Sequence, residues 1–164
     1  MIVRALAVGD LDALLEVQER GAVAGLGHIF PQEVHPFPRE TVRRRWLDEI
    51  ADPEVRAYVS SEDGEVNGFA AMRGRELLHF GTALDTWGTG LAQRLHDAVL
   101  EDCAQSFAGE VSDFRLRVFE ANHRARRFYE KLGWQPTGER TRTTFPPYPV
   151  LVGYRRRFTA VTGS

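Results

Sequence analysis

Three sets of residues in this chain could do chemistry. The first is a phenol, Tyr129, in the stretch N-H-R-A-R-R-F-Y-E-K-L-G-W from Asn122 to Trp134. A phenol is a neutral hydrogen-bond donor at pH 7; the commoner fate of a helix tyrosine is to pack its ring and leave the hydroxyl in water. The second is a pair of glycines, Gly88 and Gly90, in W-G-T-G-L-A from Trp87 to Ala92. They can bring backbone N–H groups close to an anion. The third is a carboxylate and an imidazole on one strand, Glu76 and His79. Burial near an apolar cleft raises a carboxylate toward neutrality, and an imidazole starts there, so either could serve as a base. Side chains alternate along a strand, so positions three apart face opposite sides unless a bulge intervenes. At most one of the two is expected to look into a shared cleft.

These groups need elements to hold them. Asn122 can accept a backbone N–H and open a short amphipathic helix that buries Ala125, Phe128 and Leu132, and Gly133 can end it in the left-handed conformation. The glycine pair follows an apolar stretch (Leu77, Leu78, Phe80) and precedes a helical pattern (Leu91, Leu95, Val99, Leu100, Cys103). Strand, bend, helix leaves the first amides of the helix free, with about half a positive charge behind them. A dinucleotide-binding turn would need a third glycine where Gln93 stands.

Together the two segments resemble the motifs of the GCN5-related N-acetyltransferase (GNAT) family, whose members move an acetyl group from acetyl-CoA to an amine. The resemblance covers the whole chain and implies an α/β fold: a mixed, largely antiparallel sheet, helices on both faces, and central strands from Leu77 and Val111 that splay apart. It implies a pyrophosphate site on the backbone of Gly88, Thr89, Gly90, Leu91, Ala92 and Gln93. Trp87 stands where the family usually has glutamine or arginine, so no side-chain role carries over at that position. Tyr129 falls at the general acid, and Asn122 at a residue that bonds the pantetheine arm, alongside or instead of its capping role. One of Arg124, Arg126 and Arg127, with Arg127 preferred, would reach a phosphate. Main-chain N–H groups of Phe80, Gly81 and Thr82 would stabilise the oxyanion. Glu76 lies eleven residues before Trp87, the separation of the glutamate base in the family's histone-modifying branch; His79 or water is the rival base. The reaction implied is direct attack of a primary amine of a small molecule or peptide in a ternary complex. A catalytically impaired acyl-CoA-binding or regulatory module of the same fold is the alternative.

Composition sets the frame. The 164 residues suit one domain, with 43% apolar and 27% charged residues. A net charge of −2 argues against nucleic acid or an anionic membrane as partner. The N-terminal residues are too quickly polar for a signal peptide. With one cysteine, Cys103, on an apolar helix face, a cytoplasmic protein is expected. His28 and His35 are too far apart for a metal site, and no metal is expected. Members of the family often form dimers, so a homodimer is compatible with the resemblance.

The coarse order is βααβββαβαββ: strands Ile2–Leu6, Val55–Ser61, Val66–Arg73, Leu77–Thr82, Val111–Phe119, Trp134–Arg140 and Val150–Phe158. A first helix is capped by Asp10 and stopped by Gly21, an irregular segment runs from Ala22 to Pro38, and a second helix covers Thr41 to Ile50. An acceptor wall is expected from Gly25–Trp46 and Phe145–Tyr148, carrying Phe30, Phe37, Trp46 and Tyr148 and few carboxylates. It points to a partly apolar amine or a peptide N-terminus.

Overall fold

The alternating stretches become strands of one sheet in the computed structural model, which describes residues 1–107 and 111–159. The strands are β1 (Ile2–Ala5), β2 (Val55–Glu62), β3 (Glu65–Arg73), β4 (Glu76–Thr82), β5 (Val111–Phe119), β6 (Gln135–Arg142) and β7 (Val150–Thr159). In space they run β1-β2-β3-β4-β5-β7-β6. With α1 (Leu11–Leu26), α2 (Arg39–Ala51), α3 (Leu91–Gln105) and α4 (His123–Lys131), the chain order is the one predicted. Neighbouring strands are antiparallel except β4 and β5. Asp63 and Gly64, at φ 52° and 81°, turn the β2–β3 hairpin between the paired Glu62 and Glu65, as a two-residue primed turn requires.

The two faces of the sheet carry separate cores. On one, Leu11, Leu14, Leu15, Val42 and Trp46 of α1 and α2 pack on Val59, Phe69 and Ala71. On the other, Leu95, Val99, Leu100 and Cys103 of α3 and Tyr129 of α4 pack on Ala70, Met72, Leu77, Leu116 and Tyr154. Each helix thus buries the stripe its periodicity marks out.

Two expectations for α1 fail, for tertiary reasons. Gly21 does not end the helix, which runs on to Leu26 through residues expected to be irregular. Its lack of a side chain serves packing: Cβ atoms added at Gly21 and Gly25 would meet the Trp87 ring at 3.9 and 3.4 Å. Asp10 does not cap α1 with its side chain. Its carboxylate accepts the Ala7 N–H at 2.9 Å and pairs with Arg4 at 2.8 Å instead.

The α3–α4 layer is pinned by a buried polar pair. Trp134 Nε1 donates to His96 Nε2 at 2.9 Å, and His96 Nδ1 bonds Asp97 Oδ1 at 2.8 Å. An indole nitrogen can only donate. His96 Nε2 therefore carries the lone pair and Nδ1 the proton, so the ring is neutral and both nitrogens are satisfied. Burial pushes the His96 pKa below its ordinary value, outweighing the opposing pull of Asp97. An unfolded chain takes up this proton at about pH 6.5 while the folded one holds it off to lower pH, so stability is full above about pH 6.5 and declines below it. The urea midpoint is expected to drop between about pH 7.5 and about pH 5.5, and His96→Gln is expected to flatten that drop while lowering stability at the upper pH by about 1–3 kcal/mol.

Candidate active site

The central feature is where the parallel ladder stops. β4 and β5 pair only at Glu76↔Arg115 and Leu77↔Leu116. Beyond that, β4 stays on β3 as far as Thr82 and β5 stays on β7 as far as Phe119. A wedge-shaped gap therefore opens between residues 78–82 and 117–119, walled by strands that are each held from behind.

Which backbone groups face the gap follows from the β3–β4 ladder. The Ala83 N–H donates to Asn67 at 2.8 Å. Alternation then turns the Gly81 amide toward β3 and the Phe80 and Thr82 amides toward the gap. Thr82 O accepts Trp87 Nε1 at 3.1 Å. Gly81 is a glycine for another reason: an added Cβ would lie 2.5 Å from the Phe69 ring.

At the wide end of the gap the chain bends through Gly88 (φ 82°) and Gly90 (φ 88°) into α3, with Gly90 as its left-handed N-cap. The N–H groups of Gly88, Gly90, Ala92 and Gln93 have no protein partner among the described residues, and Leu91 N reaches Thr89 Oγ1 only at 3.4 Å. This is a set of aimed donors at the positive end of a helix.

Trp87 has a structural task. Its ring lies on the Gly21/Gly25 surface of α1, and the Arg124 guanidinium stacks over it, Cζ 3.3 Å from the ring centroid. That cation–π contact is the interaction Arg124 makes; among the described residues it has no carboxylate partner. Partial desolvation lowers its pKa. Arg126 is committed to the Tyr154 hydroxyl (3.0 Å) and Glu120 O (2.9 Å), and Arg127 is exposed. Of the three arginines, Arg124 is the one that reaches the bend through Trp87.

Tyr129 is buried in α4, its ring 5.4 Å from Phe128 and 5.9 Å from Trp134. Burial alone pushes its phenol well above the ordinary value, so the hydroxyl stays protonated. The hydroxyl has no hydrogen-bond partner among the described residues. Asn122 Oδ1 accepts Ala125 N at 3.2 Å and caps the helix, and Gly133 follows it at φ 93°.

A bulge decides the facing of the two base candidates. The β3–β4 register jumps from Ala71↔His79 to Met72↔Leu77, leaving Leu78 unpaired. Leu77 lies in the α3/α4 core, whereas Leu78 joins the α1/α2 core and His79 contacts Trp46 and Glu49 of α2. The extra residue resets the alternation, so Glu76 and His79 share the α1/α2 face. Glu76 is part-exposed and pairs with Arg117 at 3.5 Å. His79 Nε2 bonds Glu49 Oε1 at 2.8 Å. Glu49 was not singled out in the sequence because it reads as one more polar residue of α2.

Over the gap, the α1–α2 connection is tied to the β5–α4 connection: His28 Nε2 donates to Ala121 O at 2.7 Å. The Phe30 ring lies edge-on to Phe119 (5.4 Å) and stacks with Phe145 (6.3 Å). Phe145 and Tyr148 are exposed. Trp46 is no part of an acceptor wall; it is buried in the core with Nε1 donating to Gln18 at 2.8 Å, and Phe37 packs on the same core. Among the described residues no group of three or more His, Cys, Asp or Glu could hold a metal ion.

A mixed sheet that parts at its parallel pairing, with a glycine bend of unpartnered amides at the wide end, defines an acyltransferase-like fold. The sequence model of the Acetyltransferase (GNAT) family matches residues 20–134, and the chain belongs to that family. Among curated proteins none matches by sequence. Three solved structures share the fold. The PaiA N-acetyltransferase of Thermoplasma acidophilum in complex with coenzyme A is 15% identical, with 96% of this chain and 98% of that chain covered at a TM-score of 0.69. For the Escherichia coli ribosomal-protein-S18-alanine N-acetyltransferase the values are 17%, 99%, 96% and 0.70. For the Vibrio cholerae spermidine N-acetyltransferase in complex with CoA and spermine they are 18%, 95%, 94% and 0.70.

Gly81→Ala tests the wall of the gap. With a Cβ 2.5 Å from Phe69 Cζ, the substitution is expected to destabilise by about 1–3 kcal/mol, read as a lower guanidinium midpoint at unchanged slope.

Proposed function

We propose that the chain is an acetyl-CoA-dependent N-acetyltransferase that acts on a primary amine by direct attack within a ternary complex. The observation that carries this reading is the pairing of the β4–β5 gap with unpartnered amides at its wide end. The bend of Gly88, Gly90, Ala92 and Gln93 would bind the diphosphate, and Arg124 would leave the Trp87 ring to add a charge-assisted contact. The pantetheine arm would then lie along Phe80 to Thr82, with the thioester toward the Leu77/Leu116 vertex.

In that position the gap-facing Phe80 amide donates to the carbonyl oxygen as it becomes an oxyanion. The neutral amine attacks the carbonyl carbon, a C–N bond forms, and collapse of the tetrahedral adduct breaks the C–S bond. The Tyr129 phenol, kept protonated by burial, donates to the departing sulfur and is reprotonated from solvent. The aromatic group of Phe30, Phe119, Phe145 and Tyr148 favours a partly apolar amine or a peptide N-terminus over a polyamine. The lone cysteine, buried with its Sγ against Gly74 O at 3.2 Å, suits a reducing compartment, and we place the protein in the cytoplasm. No helix among the described residues is long and apolar enough to cross a membrane.

Tyr129→Phe removes the hydroxyl and little volume. It is expected to lower kcat by about 10²-fold or more, with the coenzyme A Kd held within about threefold. Turnover would be followed as thiol release with a panel containing an arylalkylamine, a peptide with a free N-terminus and spermidine. Full turnover in the variant would remove Tyr129 from the mechanism; coenzyme A binding without turnover of any amine in the parent would favour a non-catalytic acyl-CoA-binding module. Arg124→Gln is expected to weaken coenzyme A binding about tenfold by calorimetry, with a shallower salt dependence than the parent.

A further inference from the structure

Glu49 Oε2 is buried and has no hydrogen-bond partner among the described residues. An unpartnered carboxylate oxygen inside a protein costs about 1–3 kcal/mol or more, so a purely structural role is a poor account of it. Its other oxygen, Oε1, lies 2.8 Å from His79 Nε2. A carboxylate only accepts hydrogen bonds, so His79 Nε2 carries a proton, and the neutral ring has its lone pair on Nδ1. That Nδ1 has no partner among the described residues and is not a sealed atom. The Trp46 ring, 4.8 Å from the imidazole and itself fixed by Gln18, holds the ring plane. The bulge at Leu78 brings the imidazole to this face, two residues above the vertex of the gap.

We propose that His79 is the general base of the reaction and that Glu49 is its positioning residue, holding the Nε2–H tautomer and stabilising the imidazolium. This rests on the acetyltransferase reading above. His79 Nδ1 takes a proton from the substrate ammonium, directly or through one water, and passes it to solvent. The amine nitrogen then forms its bond to the carbonyl carbon and sheds a second proton as the adduct collapses. Tyr129 protonates the sulfur and recovers one proton, so one proton is released per acetyl transferred. Glu76 is left to its ion pair with Arg117 on the same face. The ring's other contact among the described residues is the uncharged Trp46 of α2, and its strand partner across the ladder is Ala71 of β3.

The experiment is the pH profile of kcat/KM for acetyl transfer to the best amine of the panel, in the parent and in His79→Gln, Glu49→Gln and Glu76→Gln. In the parent, activity falls on the acid side as the base takes up a proton. His79→Gln is expected to abolish that limb and lower kcat by about 10²-fold or more. Glu49→Gln is expected to lower kcat about tenfold with the acetyl-CoA KM unchanged, because an amide can donate as well as accept and no longer fixes the Nε2–H tautomer. Glu76→Gln is expected to leave the limb in place. Should either His79 variant or Glu49 variant misfold, histidine ¹⁵N shifts of the parent decide: a protonated Nε2 and a bare Nδ1 at neutral pH are required, and the reverse tautomer overturns the assignment. A parent that acetylates amines with a limb insensitive to His79→Gln overturns this proposal alone. A parent that binds coenzyme A and acetylates nothing overturns the acetyltransferase reading as well.

Discussion

The structure depends on an interrupted ladder. Parallel strands satisfy each other's amides along their shared edge, and an edge left open inside a sheet exposes donors and acceptors that need partners. β4 and β5 give up this pairing after two residue pairs yet continue as strands, because β3 and β7 hold their outer edges. The open edges are then partly used: Trp87 reaches back to close Thr82 O. The Phe80 amide is left without a strand partner on that side.

Around the gap, the parts are held by contacts that cross between layers. His96 joins α3 to Trp134, and the Trp134 ring borders Tyr129. Trp87 spans from the glycine face of α1 to the first turn of α4 through Arg124. His28 ties the α1–α2 connection to the end of β5. The side chains with chemical potential are therefore fixed by neighbours from other segments, and the loops over the gap are anchored on both sides.

Much of this was legible in the sequence because it is written in local grammar. Asn122 and Gly133 bound α4 as capping chemistry requires, the Asp63-Gly64 pair makes the hairpin, and Gly88 and Gly90 take the left-handed conformations that mark the bend. What was missed lies in contacts between distant segments. Gly21 looks like a helix stop, but its bare face exists for Trp87, far along the chain. Trp46 looks like a surface aromatic of an acceptor wall and is a core residue. Glu49 looks solvated and is buried against His79. In each case periodicity reports which face of an element is apolar, and says nothing about which residue of another element lies opposite.

Leu78 has a wider consequence. A single unpaired residue between Leu77 and His79 reverses the parity of the strand while the ladder continues on either side. Leu77 and His79 already sit on consecutive rungs, so loss of that residue would leave Glu76 and His79 facing as they do and remove only Leu78 from the α1/α2 core. Length can vary there without changing the strand's facing, whereas one residue gained or lost elsewhere in β4 would turn its far half over.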